Sequence, residues 1–130
     1  MNPGSDDEAA IERMVRLFYQ RGLADPVLGP IFRSAIHDWE PHIARVADFW
    51  SGVVHGTGRY SANAYAPHAK LDFPPEAFGH WLAVFESAAA EPLNPEHAAR
   101  ALHVARHMAQ SFRMGLFPFQ DAKGRPSRKP

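Results

Sequence analysis

The chain has 130 residues, of which 45% are hydrophobic and 12% aromatic, which is enough for one core and too little for a second domain. Its 14 basic and 14 acidic side chains cancel, so no net charge favours nucleic acid or an anionic membrane surface as a partner. Cysteine is absent, which excludes disulfides, thiolate nucleophiles and sulfur-ligated metals, and no apolar run reaches the ~20 residues that span a bilayer.

The first third of the chain predicts one helix and a short turn. The helix is indicated by apolar residues at the i, i+3, i+4, i+7 spacing of one buried face, namely Ile11, Met14, Val15 and Phe18. Asp6 or Asp7 can cap its start, and Tyr19 lies at its inner edge. Asp25 followed by Pro26 predicts a second cap, which opens a short turn as far as Phe32.

A second main helix is predicted from Pro41. It should end at about Val54, because Gly56-Thr57-Gly58 follows it. Its inward residues are Ile43, Val46, Phe49, Trp50 and Val53. His42 opens this helix and shares a face with Val46 and Phe49.

The long segment from Gly56 to Phe73 is irregular, with one helical turn expected from Pro67 to Leu71. Structureless loops of such length are uncommon in compact domains. This one carries several side chains that a disordered linker lacks, namely Tyr60, Tyr65, His68, Leu71 and Phe73. A flat apolar cofactor between helix pairs would give them a surface to pack against, and a histidine of the segment would give its axial bond.

Two more helices complete the predicted fold. The third follows Pro74-Pro75, ends near Glu91 and carries one apolar side formed by Phe78, Trp81, Leu82 and Phe85. Asn94 caps the last and longest helix, whose inward residues are Ala98, Ala101, Leu102, Ala105, Met108, Phe112 and Leu116. Sustained period-two alternation is lacking, so the predicted fold class is all-α with four principal helices. We assign residues 1–9 to a flexible arm, 10–119 to one domain and 120–130 to a flexible basic tail.

Taken singly, the chemically active side chains leave two interpretations open. A lone loop histidine such as His68 is more often a surface residue than a metal ligand, and a first-turn histidine such as His42 is more often solvated. Tyr19 and Trp81 are ordinary core aromatics by themselves. Together, however, they place a hydroxyl and an indole N–H in one interior, which an apolar core does not require.

The other histidines are predicted to have structural or surface roles. His103 and His107 lie four residues apart and could clamp a metal, but Arg100 and Arg106 beside them favour a solvated face. The remaining ones lack an acidic or histidine partner at ligand spacing: His37, His55, His80 and His97. A serine nucleophile elbow, a phosphate-binding glycine loop and an HExxH motif are all absent from the sequence.

The ordered set of motifs resembles the truncated haemoglobins, most closely their third group. These motifs are Leu17-Phe18-Tyr19, Asp25-Pro26-Val27-Leu28-Gly29-Pro30-Ile31-Phe32, Trp39-Glu40-Pro41-His42, Asp48-Phe49-Trp50, Gly56-Thr57-Gly58-Arg59-Tyr60, Pro67-His68 and Phe78-Gly79-His80-Trp81-Leu82-Ala83-Val84-Phe85. The resemblance runs from about Ile11 to Leu116. It implies a truncated globin, a two-over-two helical sandwich around haem b (iron protoporphyrin IX), whose proximal helix is reduced to a loop and one turn.

Residue by residue, the resemblance implies that His68 is the proximal iron ligand. Tyr19 matches the distal hydroxyl, Trp81 the distal indole and His42 the histidine at the distal gate. The other expected haem contacts are Phe18, Val46, Phe49, Trp50, Leu71, Phe73, Phe78 and Met108. Arg59, Tyr60 and Lys70 are chemically suitable partners for the propionates.

We therefore expect a cytoplasmic, monomeric haem protein that binds O2, NO and CO at ferrous iron. Hydrogen bonds from Tyr19 and Trp81 would slow O2 release, and NO oxidation with an unidentified reductase would follow from tight O2 retention. One alternative is a peroxidase-like or other oxygen-activating enzyme, with His42 as a proton shuttle. A less favoured alternative is a haem-free, globin-like sensor.

Overall fold

The computed structural model describes residues 8–56, 74–116, 119–120, 122–123 and 126–127. Their helices are α1 (Glu8–Ala24), α2 (Leu28–Ala35), α3 (Trp39–His55), α4 (Ala77–Ala90) and α5 (Pro95–Leu116). Two short strands, β1 (Phe119–Gln120) and β2 (Pro126–Ser127), pair antiparallel after α5. The all-α prediction is confirmed, with α2 added to the four principal helices. Within the described part of the chain, every helix is too short or too polar to span a bilayer.

The first helix is the centre of the fold, because α2, α3 and α4 all pack against it. Its buried face is the predicted one and consists of Ala10, Ile11, Met14, Val15, Phe18 and Tyr19. The predicted caps Asp6 and Asp7 lie outside the described residues.

The caps predicted for α2 and α5 are confirmed. Asp25 Oδ1 accepts hydrogen bonds from the backbone N–H groups of Val27 at 2.8 Å and Leu28 at 3.0 Å. Asn94 Oδ1 accepts one from the N–H of His97 at 2.9 Å. Each satisfies donors that have no partner within their own helix. The short turn expected after Asp25 is longer than predicted, since α2 continues to Ala35.

The predicted start of α3 is wrong by two residues. The helix begins at Trp39, so Pro41 is its third residue and His42 its fourth. The first N–H groups of a helix have no intrahelical acceptor, and proline is therefore tolerated throughout the first turn. The predicted end is confirmed, because Gly56 adopts the left-handed conformation with φ 69° and its N–H donates to the Gly52 carbonyl at 2.9 Å.

The core is aromatic on the α1 and α4 sides and made of small residues on α5. The ring centroid of Phe85 lies 4.5 Å from that of Trp50, 5.6 Å from that of Trp81 and 6.0 Å from that of Phe18. On α5 the buried residues are Ala101, Ala105 and Ala109. Four residues predicted to point inward on α5 are only partly buried, namely Ala98, Leu102, Met108 and Phe112. Alanines let α5 approach its neighbours closely, which leaves the larger side chains at the flanks of the contact.

Replacing Phe85 with alanine should be among the most damaging single changes in the core. Its side chain is 1% exposed and lies against three aromatic rings, so a cavity would remain after truncation. We expect a loss of about 3–5 kcal/mol in the free energy of unfolding, measured by urea titration. Met114→Ala is the control, because Met114 is 67% exposed and its loss should cost about 0.5 kcal/mol or less. Equal losses in the two variants would contradict this core.

Candidate functional site

A hydrogen bond between two predicted site residues links α1 to α3. The hydroxyl oxygen of Tyr19 lies 2.7 Å from Nε2 of His42. Tyr19 is 8% exposed, and burial raises the pKa of its hydroxyl above the ordinary value. The hydroxyl therefore keeps its proton at physiological pH and can donate to Nε2 when that nitrogen carries no proton.

Two aromatic side chains that were not predicted as site residues form the wall around this pair. The Tyr19 ring centroid lies 5.2 Å from that of Phe32 and 5.3 Å from that of Trp39. Trp39 also lies 6.3 Å from the His42 ring, edge to face. A signal for Trp39 was present in the sequence, because it precedes His42 by three residues and so shares its helix face. It was missed because the helix was predicted to begin only at Pro41.

The ring of Phe18 connects Tyr19 to Trp81. Its ring centroid is 5.0 Å from that of Tyr19 and 5.9 Å from that of Trp81. Trp81 in turn stacks on Phe85 at an interplanar angle of 15°. A hydroxyl, an imidazole and an indole from three different helices are thus joined through one aromatic cluster.

The remaining predicted contacts divide into three groups. Trp50 is deeply buried, with 4% exposure, against Phe49 and Phe85. Val46, Phe49, Phe78 and Met108 are only partly buried, which leaves apolar surface on α3, α4 and α5. The third group lies outside the described residues and consists of Arg59, Tyr60, His68, Lys70, Leu71 and Phe73.

His80 has no acidic partner at ligand spacing in the sequence, but the fold brings one to it. Its Nδ1 lies 3.1 Å from Oδ1 and 3.0 Å from Oδ2 of Asp25, which is 55 residues away in the sequence. A carboxylate only accepts hydrogen bonds, so Nδ1 carries the proton in this contact. No sequence spacing could have revealed the pair, because only the packing of α4 against the α1–α2 corner brings it together.

The other histidines behave more as expected. His103 and His107 are exposed, as predicted. The rings of His55 and His97 meet edge to face at 5.2 Å. Among the residues that the structure describes, no group of three or more histidine, aspartate or glutamate side chains could hold a metal ion.

Polar links hold α1 against α3 on either side of the apolar face. At one end, Arg16 forms a two-pronged ion pair with Glu40, at 3.1 and 2.8 Å, which lowers the pKa of the Glu40 carboxyl. At the other end, the buried Ser51 hydroxyl donates to Glu8 at 2.6 Å. Arg16 and Glu40 are exposed, so their ion pair contributes little, and the apolar packing of α1 against α3 is what places Tyr19 beside His42.

Known proteins show similarity along most of the chain. The group 3 truncated hemoglobin ctb of Campylobacter jejuni is 31% identical over 118 residues, which cover 87% of this chain and 93% of that protein. The crystal structure of a group III truncated hemoglobin from Campylobacter jejuni matches with a TM-score of 0.76 and 32% identity. That match covers 86% of this chain and 92% of the other. No family model matches the sequence.

The Asp25 carboxylate should give the fold an acid-sensitive contribution. The hydrogen bond from His80, followed by those from the Leu28 and Val27 N–H groups, holds the pKa of Asp25 below its ordinary value. A lowered folded-state pKa stabilises the fold above the ordinary aspartate pKa of about 4, and this stabilisation is lost as the pH falls through the folded-state pKa. We expect Asp25→Asn, which keeps the cap oxygen, to cost more free energy of unfolding at about pH 6 than at about pH 3.5.

Urea titration at several pH values measures this difference. Ser87→Ala is the control, because it removes an uncharged partner of Arg21 and should cost the same at each pH. If the cost of Asp25→Asn does not change with pH, the carboxylate is not stabilised in its ionised form.

Proposed function

Because this chain belongs to the third group of the truncated haemoglobins, we propose that it binds haem b and, at the iron, the diatomic ligands O2, NO and CO. The observation that carries the proposal is the hydrogen bond between the buried Tyr19 hydroxyl and His42, set among aromatic rings. A core built only for stability gains little from a hydroxyl and an imidazole facing each other in its interior. A site for a small polar ligand needs such groups.

The described residues fit a flat apolar cofactor. Residues His42, Val46, Phe49 and Val53 follow the i, i+4, i+7, i+11 spacing, so the imidazole and an apolar strip share one face of α3. The three apolar members of this strip pack against the core yet are only partly buried. On α5, Val104 and Met108 are partly buried in the same way. A macrocycle is the kind of surface that would cover these side chains.

When bound, haem would supply an iron atom that can bond both a protein side chain and a diatomic ligand. We propose the neutral imidazole of His68 as the protein ligand. The protonated Tyr19 hydroxyl is the first distal donor, and the Trp81 indole N–H is the second. Because Tyr19 is already engaged with His42, a ligand that takes its hydrogen bond competes with that imidazole. Movement of His42 away from Tyr19 then frees the hydroxyl.

Further residues and partners belong to the proposed site. Phe18, Trp50, Leu71, Phe73 and Phe78 would complete the haem contacts, and Arg59, Tyr60 and Lys70 would hold the propionates. A reductase would return the iron to the ferrous state after NO oxidation. Peroxide chemistry with His42 as a proton shuttle is the alternative activity. We also keep a monomeric state and a cytoplasmic location as predictions.

The role of His68 can be tested by the visible absorption spectrum of the purified protein. The purified protein should show a Soret band, and His68→Ala should lose it or shift it, because the iron loses its protein ligand. His103→Ala is the matched control, since it removes an exposed histidine of α5 and should leave the spectrum unchanged. A His68→Ala variant with the unaltered spectrum would rule out this ligand.

The role of Tyr19 can be tested by ligand kinetics. We expect Tyr19→Phe to raise the O2 dissociation rate about ten- to hundred-fold, because one hydrogen bond of about 1–3 kcal/mol is lost. Phe32→Leu separates packing from hydrogen bonding, because it loosens the ring contact at 5.2 Å and keeps the hydroxyl. Stopped-flow mixing measures both rates. If Phe32→Leu has the larger effect, the hydroxyl is not the main distal donor.

A further inference from the structure

The fourth helix is fastened to α1 and the corner after it by two polar contacts. At its start, His80 Nδ1 donates to the Asp25 carboxylate at 3.0–3.1 Å. Near its end, the Arg21 guanidinium donates to Ser87 Oγ at 3.1 Å and to the Glu91 carboxylate. Trp81 lies between the two contacts, stacked on Phe85. The two contacts therefore flank the aromatic cluster that reaches Tyr19.

The two contacts differ in how firmly their partners are held. The side chains of Asp25 and His80 are 16% and 38% exposed, and Asp25 Oδ1 is already fixed by the N–H groups of Val27 and Leu28. The Asp25 backbone is fixed as well, since its N–H donates to the Gly22 carbonyl and its own carbonyl accepts from the N–H of Gly29. His80 is thus bound to a rigid corner. The side chains of Arg21 and Glu91 are 33% and 59% exposed and form a surface ion pair, which contributes little.

His80, which makes the contact at the start of α4, directly precedes Trp81 in the sequence. The hydrogen bonds of His80 join the first turn of α4 to the α1–α2 corner. Trp81 itself is held by ring contacts to Phe18 and Phe85, which fix the direction of an N–H less firmly than a hydrogen bond does. His80 therefore adds a directional contact to the packing that orients this part of α4 and the indole on it.

We propose that His80 is a positioning residue for the Trp81 indole, and that the Asp25–His80 contact thereby sets how long O2 stays in the pocket. The inference rests on the proposed function and assigns the site a residue that does not touch the ligand. His80 fixes the start of α4 against the α1–α2 corner. The position of α4 then sets the direction in which the Trp81 indole N–H points toward the ligand. Loss of the contact lets the indole N–H tilt, so that its hydrogen bond weakens in a fraction of the molecules.

A pair of substitutions separates the hydrogen bond from the bulk of the imidazole. In His80→Asn, the amide Nδ2 takes the place of Nδ1 and can still donate to Asp25, whereas His80→Ala has no donor. We expect His80→Ala to raise the O2 dissociation rate about three- to ten-fold and His80→Asn to stay within about two-fold of the parent. Ser87→Ala, which weakens the other contact, should leave the rate unchanged. Equal rates for the His80→Ala and His80→Asn variants would overturn the proposal.

The coupling to Trp81 is the decisive measurement. If His80 acts through the indole, His80→Ala should change the rate less than about two-fold in a Trp81→Phe background. The same fold-change in both backgrounds would show that His80 acts by another route and would overturn the proposal.

A spectroscopic arm does not depend on O2 kinetics. The indole ¹H–¹⁵N cross-peak of Trp81, assigned by its loss in Trp81→Phe, is recorded on the purified protein, reduced and under CO. We expect it to shift or broaden in His80→Ala, to return in His80→Asn and to stay in place in Ser87→Ala. An unmoved cross-peak in His80→Ala would overturn the positioning role. A purified protein with no Soret band would instead defeat the proposed function, and the cross-peak would still report on positioning.

Discussion

The ring of Phe18 is the contact on which the rest of the molecule depends. It is 6% exposed, and its centroid lies 5.0–6.0 Å from those of Tyr19, Phe32, Trp81 and Phe85. These neighbours come from α1, α2 and α4, so one side chain joins three helices. Protein interiors are as closely packed as organic crystals, and a shift of one ring displaces the others. The packing that stabilises the fold is therefore the same packing that places the Tyr19 hydroxyl and the Trp81 indole.

The polar contacts add direction to this packing. Apolar contacts are not directional, whereas a hydrogen bond fixes both distance and angle. In the described part of the chain, no buried side-chain nitrogen or oxygen lacks a partner. Tyr19 satisfies this condition through His42, so its buried hydroxyl has a hydrogen-bond partner within the protein itself. In the proposed site, a ligand that accepts from Tyr19 replaces the imidazole as acceptor, which favours polarised molecules over apolar ones.

The sequence predicted those parts of the fold that depend on neighbours along the chain. The face of α1 followed from the spacing of Ile11 to Phe18, and the caps followed from Asp25 and Asn94. The start of α3 did not, because Pro41 is compatible with several positions in a first turn. For α5, the spacing of apolar residues did not predict that the alanines would contact the neighbouring helices and that the larger apolar side chains would lie at the edges of that contact.

In the candidate site, the chemistry of the residues predicted a Tyr19 hydroxyl and a Trp81 indole in one interior, and the family resemblance added His42. Tyr19, His42 and Trp81 were identified in this way, and the structure joins them through one aromatic cluster. The partner of His80 could not be found, since Asp25 is 55 residues away and no motif relates the two. Contacts across tertiary structure of this kind need coordinates.

The corner between α1 and α2 also restricts how this sequence can change over time. A methyl group on Gly22 would stand 2.5 Å from Cε2 of Phe32, so the glycine is required by the ring and not by its backbone angles. Phe32 in turn touches both Phe18 and Tyr19. Substitutions at residues 22 and 32 are therefore coupled: a larger side chain at position 22 requires a smaller one at position 32.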